Sequence, residues 1–316
     1  MVDKKIVCLG GGIGTVNLVK GLIKYTGKVT VVASMADDGG STGRLRRLYS
    51  IPPPGDLISC IAAMSQADEM MKKALTYRFE GQRYGREESL GGHKLGNLMM
   101  VALTSVMGDF SKALLQMQKL FKTKGRILPA TIEPISIWAQ TSVGERVDRE
   151  ENIDLGRFTG TIEKLHIKPV NPTTSKEVIE AIISADLIIA GPGDLYSTIL
   201  PVLLIPRIIN AIKKSKAKKL YIINVANKLF ETPNYKINDY IKAITSHCGA
   251  NIFDYVLMNN NITVSIPEKF ARQYKFVQLN YKKEKGYQVI ASDIVNTQFP
   301  LYHDSDKLAK AIMENI

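Results

Sequence analysis

Two adjacent carboxylates, Asp37 and Asp38, stand directly before Gly39, Gly40, Ser41 and Thr42. Two acids side by side among small residues repel an anion unless a cation joins them. A hard cation such as Mg²⁺ is held by one or two carboxylates together with the phosphates of a ligand. Asp37 and Asp38 are therefore candidate metal ligands, and catalytic residues if the chain is a transferase. A rival assignment gives Asp37 to a cofactor ribose, because it lies about 23 residues past a glycine loop, near the spacing of dinucleotide folds. An exposed acidic turn would have the same composition. Arg44, Arg46 and Arg47 follow at once and can pair with phosphates, or sit as solvated charge on a helix.

The glycine loop itself is Gly10, Gly11, Gly12 and Gly14, followed by Thr15. Glycines let the backbone reach positive φ and let a ligand come close to the main chain. The free N–H groups and positive end of a following helix favour an anion, usually phosphate. The spacing is neither G-x-G-x-x-G, since Thr15 stands where a third glycine belongs, nor G-x-x-x-x-G-K-[ST]. It points to a phosphorylated ligand more than to NAD or ATP. A third polar loop, Gly191, Pro192, Gly193, Asp194, Leu195 and Tyr196, would alone be an ordinary turn. His93 and Asn97 are four apart and share a helical face. His93 reads equally well as a ligand contact or as a satisfied structural histidine, and Gly96 between them signals close packing or a ligand.

The elements that must position these groups alternate. An apolar run at 6–10 reads as a buried strand, 16–22 as a helix and 28–34 as a strand, one parallel βαβ unit. The acid loop leaves the second strand beside the glycine loop, at the carboxyl edge where α/β sheets bind ligands. Asp56, after Pro52-Pro53-Pro54-Gly55, can cap a helix to about residue 66. Residues 82–92 read as a mobile glycine-rich loop, and 93–107 as a largely apolar helix, central and buried. Residues 126–170 read as a β-rich insertion or edge sheet. A buried strand at 187–190 then leads into the third loop, and strands and helices alternate to the end. The expected fold is one α/β domain over 1–316, Rossmann-like and three-layered, with a mainly parallel central sheet.

Composition narrows the function classes. The chain has 316 residues, 45% hydrophobic and 23% charged, with a net charge of +12. That charge suits an anionic small ligand, while the scattered basic residues lack interleaved aromatics, so nucleic acid is not the expected partner. Three distant cysteines give no disulfide framework and fit a reducing cytoplasm. No leader or membrane span is expected, the most apolar stretch at 199–205 being too short. The four histidines have no zinc-ligand spacing.

Taken together, the motifs resemble a known family. Gly-Gly-Gly-x-Gly-Thr at 10–15, Asp-Asp-Gly-Gly-Ser-Thr-Gly-Arg-Leu-Arg at 37–46, Pro-Pro-Gly-Asp at 53–56, Tyr-Arg-Phe at 77–79, Gly-His-x-Leu-Gly-Asn-Leu at 92–98 and Gly-Pro-Gly-x-Leu-Tyr at 191–196 occur in order. This is similar to the CofD-like family, whose two arms are 2-phospho-L-lactate transferases of deazaflavin cofactor synthesis and YvcK-type gluconeogenesis factors. The wording at 37–43 and 92–97 looks like the YvcK arm. The resemblance implies a Rossmann-like fold with a nucleotide diphosphate at the sheet edge. In the transferase arm it also implies Mg²⁺ on the acids that match Asp37 and Asp38. The YvcK-like arm is associated with UDP-sugar binding and control of carbon use, cell wall synthesis and cell shape. The chain departs from the family pattern at Leu57, Ile58 and Ser59, at Lys94, at Asp194 and at Ala226-Asn227-Lys228.

The leading expectation is a YvcK-like sensor of UDP-sugars. The alternative is a Mg-dependent enzyme moving a phospholactyl-type group from a nucleotide diphosphate to a deazaflavin hydroxyl. An NAD(P) oxidoreductase is weaker, because nothing resembles a hydride-transfer site. The expected partner is a UDP-sugar or another nucleotide diphosphate, with a regulated protein and self-association left open.

Overall fold

Ile6–Gly10 (β1) is apolar on both sides and wholly buried, as a strand covered by helices on both faces must be. In the computed structural model, which describes residues 3–86, 88–280 and 286–316, the chain then runs through Gly12–Leu22 (α1) and Val29–Ala33 (β2). Four helices follow, Gly40–Tyr49 (α2), Gly55–Met64 (α3), Glu69–Thr76 (α4) and Leu95–Met107 (α5), then Phe110–Leu120 (α6) and Arg126–Pro129 (β3). Ser136–Thr141 (β4), Arg146–Asp148 (β5), Glu150–Asp154 (α7) and Ile162–Lys168 (β6) form a side unit. Lys176–Ile183 (α8) returns the chain to Leu187–Ala190 (β7). A π turn at Leu195–Ile199 runs into Leu200–Leu203 (α9), then Pro206–Lys214 (α10) and Lys218–Ile222 (β8). The remainder is Ala226–Lys228 (β9), Ile237–Cys248 (α11), Tyr255–Asn259 (β10), Tyr274–Phe276 (β11), Gln288–Ser292 (β12) and Ser305–Asn315 (α12).

Seven strands make the central sheet in the order β12-β10-β8-β7-β1-β2-β3, and every neighbouring pair is parallel. Counted along the chain, this is the 3-2-1-4-5-6 order of dinucleotide-type folds with one strand added. The strand order reverses between β1 and β7, which pair Ile6 with Leu187 through Leu9 with Ala190. The expected α/β fold with a parallel sheet is the observed one. Helices α1, α3 and α12 pack together, as do α8, α9, α10 and α11 in a second group.

Three expectations need correction. The stretch 126–170 is not one unit: β3 is the edge of the main sheet, while β5-β4-β6 form a separate antiparallel sheet. Helix α5 is not central. Only Gly96, Asn97, Met100 and Val101 are buried, and Val106 is 84% exposed, because the helix touches its neighbours along one stripe although apolar residues surround it. Residues 82–92 do not form an untethered loop, since the buried Arg44 guanidinium donates to the carbonyls of Arg86, Ser89 and Gly91. Glu87 lies outside the described residues. Among the described residues no single helix is long and apolar enough to cross a membrane.

Candidate ligand cleft at the switch point

The loops after β1, β2 and β7 meet where the strand order reverses. Gly14 explains how closely: a Cβ there would lie 2.3 Å from the Pro192 carbonyl oxygen, so only glycine lets the third loop press against the first. Gly12 has φ +65° and open space where a side chain would stand, which turns its backbone to the cleft at the start of α1. Gly10 lies behind it against Thr15, while Gly11 sits against Asp56 at the edge of the cleft. Thr15 is 1% exposed and its hydroxyl has no hydrogen-bond partner, so it sits beneath the loop rather than in the cleft.

Two chambers open from this junction. The outer, of about 850 Å³, is lined by Lys20, Lys24, Lys72, Lys73, Arg78, Arg83 and Lys94, with Ser41, Thr42 and Asn97 at its floor. The inner, of about 320 Å³, is walled by Glu150, Glu151, Asp154 and Asp194 beside Gly11, Gly14, Gly39, Pro192 and Gly193. Gly12, Ile13, Asp37, Asp56 and Arg83 line both.

Asp37 is the acid of the pair that reaches the cleft. Its carboxylate accepts the Gly39 N–H at 3.0 Å, and burial, then the neighbouring Asp56 charge, push it up to about 7. Asp38 points elsewhere. Its carboxylate accepts from the Glu151 N–H at 3.0 Å and the Arg149 guanidinium at 3.4 Å, and it lines neither chamber. The carboxylate that faces Asp37 across the cleft is Asp56. It does not cap its own helix, for α3 begins without a side-chain cap. It accepts the Gly12 N–H instead, and burial raises its pKa against that bond and the Lys94 charge. The positive end of α1 is thus met by Asp56, so a phosphate arriving here needs a cation to share it. Asp37, Asp56 and Asn97, whose buried Oδ1 has no hydrogen-bond partner, all line the outer chamber, and carboxylate and amide oxygens are the ligand types Mg²⁺ takes.

Ser41 is held by two of the sequence candidates. His93 Nδ1 lies 2.8 Å from its hydroxyl and the Asn97 amide donates to it at 3.3 Å. His93 is 2% exposed and stands behind Ser41 instead of in the chamber. Lys94 does reach the chamber: its ammonium donates to Ser59 Oγ at 2.9 Å, and burial, then Arg78, lower its pKa. Arg44 is not a phosphate ligand in this arrangement, because its guanidinium is spent on the 86–91 carbonyls. Arg46 likewise donates to the Ile135 carbonyl. Gly40 packs under Arg83, whose Nε would lie 2.6 Å from a Cβ there.

In the third loop, the Gly193 N–H donates to Asn224 Oδ1 at 2.9 Å and the Asn224 amide donates to Asp194 at 3.1 Å. Gly191 closes the turn over the Ile222 carbonyl. Leu195 and Tyr196 are buried, and the Tyr196 hydroxyl lies 2.9 Å from that of Tyr235. They anchor the turn and do not line either chamber. Sequence reasoning missed Asp154, Glu150 and Arg83, which line the chambers from segments with no motif of their own.

Comparison with known proteins now bears on the assignment. The family model described as 2-phospho-L-lactate transferase CofD matches residues 6–295. The chain belongs to the CofD family. It is 35% identical over 324 residues to the gluconeogenesis factor of Halalkalibacterium halodurans, covering 99% of this chain and 97% of that protein. It is 35% identical over 318 residues to the gluconeogenesis factor of Bacillus subtilis, covering 98% and 97%. A crystal structure of a UPF0052 family member from Bacillus halodurans superimposes with a TM-score of 0.90 at 34% identity, covering 99% of each chain. Similarity to the gluconeogenesis-factor arm of the CofD family therefore spans the whole sheet, including the cleft.

Proposed function

We propose that this chain is a gluconeogenesis-factor-type regulator that binds a nucleotide diphosphate-linked sugar, a UDP-sugar, in the switch-point cleft. Through that ligand it tunes carbon use, cell wall synthesis and cell shape from the cytoplasm. The single observation that carries the reading is the junction at Gly12, where a basic and an acidic chamber meet over the start of α1. The diphosphate lies at that junction with Arg83 and Lys94 as its cations. Mg²⁺, held by Asp37 and Asp56, supplies the remaining positive charge when bound. Asp38 has no part in that set.

The second reading, a Mg-dependent transferase of the 2-phospho-L-lactate type, draws on the same facing carboxylates. A thermal-shift panel separates them. A ligand at 100 times its dissociation constant stabilises the native state by roughly 2.7 kcal/mol. UDP-sugar should give a clear shift in Mg²⁺, GDP a smaller one and NAD(H) none, with no UDP-sugar consumed over hours. Release of UMP or UDP, or transfer to a deazaflavin, abolished by Asp37→Ala, overturns the sensor in favour of the transferase.

A further inference from the structure

At the wall of the inner chamber, three chain segments meet in a cluster, two of whose acids, Asp154 and Asp194, line that chamber. Asp154 ends α7, Asp194 sits in the turn after β7, Lys228 closes β9 and Glu231 follows it. The Lys228 ammonium donates to Asp154 Oδ1 at 2.5 Å and to Asp194 Oδ2 at 3.0 Å, and Glu231 Oε2 lies 4.0 Å away. Lys228 is 8% exposed.

Glu231 makes the cluster more than a surface ion pair. It is 1% exposed. Its Oε1 accepts the N–H groups of Tyr196 and Ser197, at 2.7 and 3.0 Å, at the head of the π turn. Its Oε2 is buried and accepts no hydrogen bond. One oxygen each from Asp154, Asp194 and Glu231 all lie within 4.8 Å of one another. Oxygens so spaced, all from carboxylates, are what a hard divalent cation gathers. A lone buried carboxylate oxygen without a donor is a costly thing to keep. The cation that occupies this spot belongs to the chain itself.

We propose that Lys228 is a tethered counter-ion holding the place of a divalent cation between Asp154, Asp194 and Glu231, so that removing its charge converts the cluster into a metal site. The ammonium carries a single charge against three carboxylates, and its three N–H groups can point at three oxygens only if all stay close. It therefore ties α7 to the turn at Gly193 and Asp194 that walls the inner chamber. With the amine gone, two half-buried carboxylates and the buried Glu231 converge on one spot, and a divalent cation is the simplest group that satisfies them.

The test counts Mn²⁺ bound per chain, by the loss of the free-ion electron-resonance signal, in the wild type, Lys228→Met, Glu231→Gln and the double variant. Lys228→Met should take up one more Mn²⁺ than the wild type and show a Mn²⁺-dependent rise in Tm larger than that of the wild type. Adding Glu231→Gln should remove only that extra ion. In the wild-type background Glu231→Gln should leave the count unchanged, which keeps this site distinct from any ion at Asp37 and Asp56. An equal count in wild type and Lys228→Met overturns the proposal, as does a wild-type ion lost on Glu231→Gln. If Lys228→Met does not fold without metal, Lys228→Gln is judged by the same count. If neither folds, recovery of the fold by Mn²⁺ supports the proposal, and failure of Mn²⁺ to recover it overturns it.

Discussion

The outer and inner chambers share the Gly12 junction and Arg83 but neutralise charge in opposite ways. The outer wall carries seven lysines and arginines against five acids, of which Asp37 and Asp56 are shared with the inner wall and Glu69 and Asp306 pair with Lys72 and Lys24 at the rim. The inner wall carries six carboxylates, and among the described residues Arg83 is its only lysine or arginine. Burial and neighbouring acids push several of them up: Glu150 well above its ordinary value, and Asp37 to about 7. The difference teaches where each part of the proposed nucleotide diphosphate-linked ligand would belong. On the proposed reading, the phosphate oxygens would face the ammonium and guanidinium groups of the outer wall. Groups that donate hydrogen bonds, such as sugar hydroxyls and base N–H, suit the acidic wall.

The sharpest way to break this division is Arg44→Met. The Arg44 guanidinium holds the loop that delivers Arg83 to both chambers, and hydrogen bonds to a charged donor are worth about 1.5–3 kcal/mol each. We expect a loss of about 3 kcal/mol in urea denaturation together with weaker binding of the UDP-sugar. Unchanged stability would mean that the loop holds itself.

A smaller effect belongs to Lys94→Ser. Losing a charge-assisted contact to phosphate should weaken UDP-sugar binding roughly tenfold, about 1.4 kcal/mol. The empty protein should gain a few tenths of a kcal/mol, since a cation at the start of α5 opposes the helix dipole. Calorimetric titration and chemical denaturation of the same variant read the two signs, and a less stable empty variant would count against the assignment.

The acid pair gives a pH test. The Asp37 carboxyl is raised from 3.8 to about 7, so the folded protein holds that proton more tightly than the unfolded chain. The contribution is present at low pH and is lost as pH rises from about 4 to about 7. Asp37→Asn should flatten that decline, leaving the variant more stable than the wild type by about 1 kcal/mol or more at pH 8 and near parity at pH 4. A parallel decline in both proteins would remove Asp37 as its source. Smallest of all, Asp38→Asn should change UDP-sugar affinity less than about twofold, about 0.4 kcal/mol, because Asp38 lines neither chamber.

That last contrast shows where the sequence stops. The strand–glycine–helix opening, the parallel sheet and the three loops at one edge follow from apolar runs and glycine placement, which are local signals. Asp37 bonds the Gly39 N–H while Asp38 turns to the Glu151 N–H, so only Asp37 faces the cleft, and the partner came from Asp56 instead. Arg44 read as a phosphate ligand because buried arginines are rare, and only the tertiary fold shows the carbonyls it serves. The departures from the family pattern looked independent in the sequence. In space Lys94 pairs with Ser59 and Lys228 with Asp194, long-range contacts that no local periodicity encodes.

The central claim is that the Gly12 junction receives a UDP-linked sugar with its phosphates toward the basic chamber. Calorimetric titration of a UDP-sugar, in Mg²⁺, into the wild type, Lys94→Ser and Asp38→Asn tests it most directly. The account predicts one ligand per chain, an affinity weakened roughly tenfold in Lys94→Ser and unchanged in Asp38→Asn, and no heat from NAD(H). Equal affinities in all three proteins, or NAD(H) binding where the UDP-sugar does not, would contradict it.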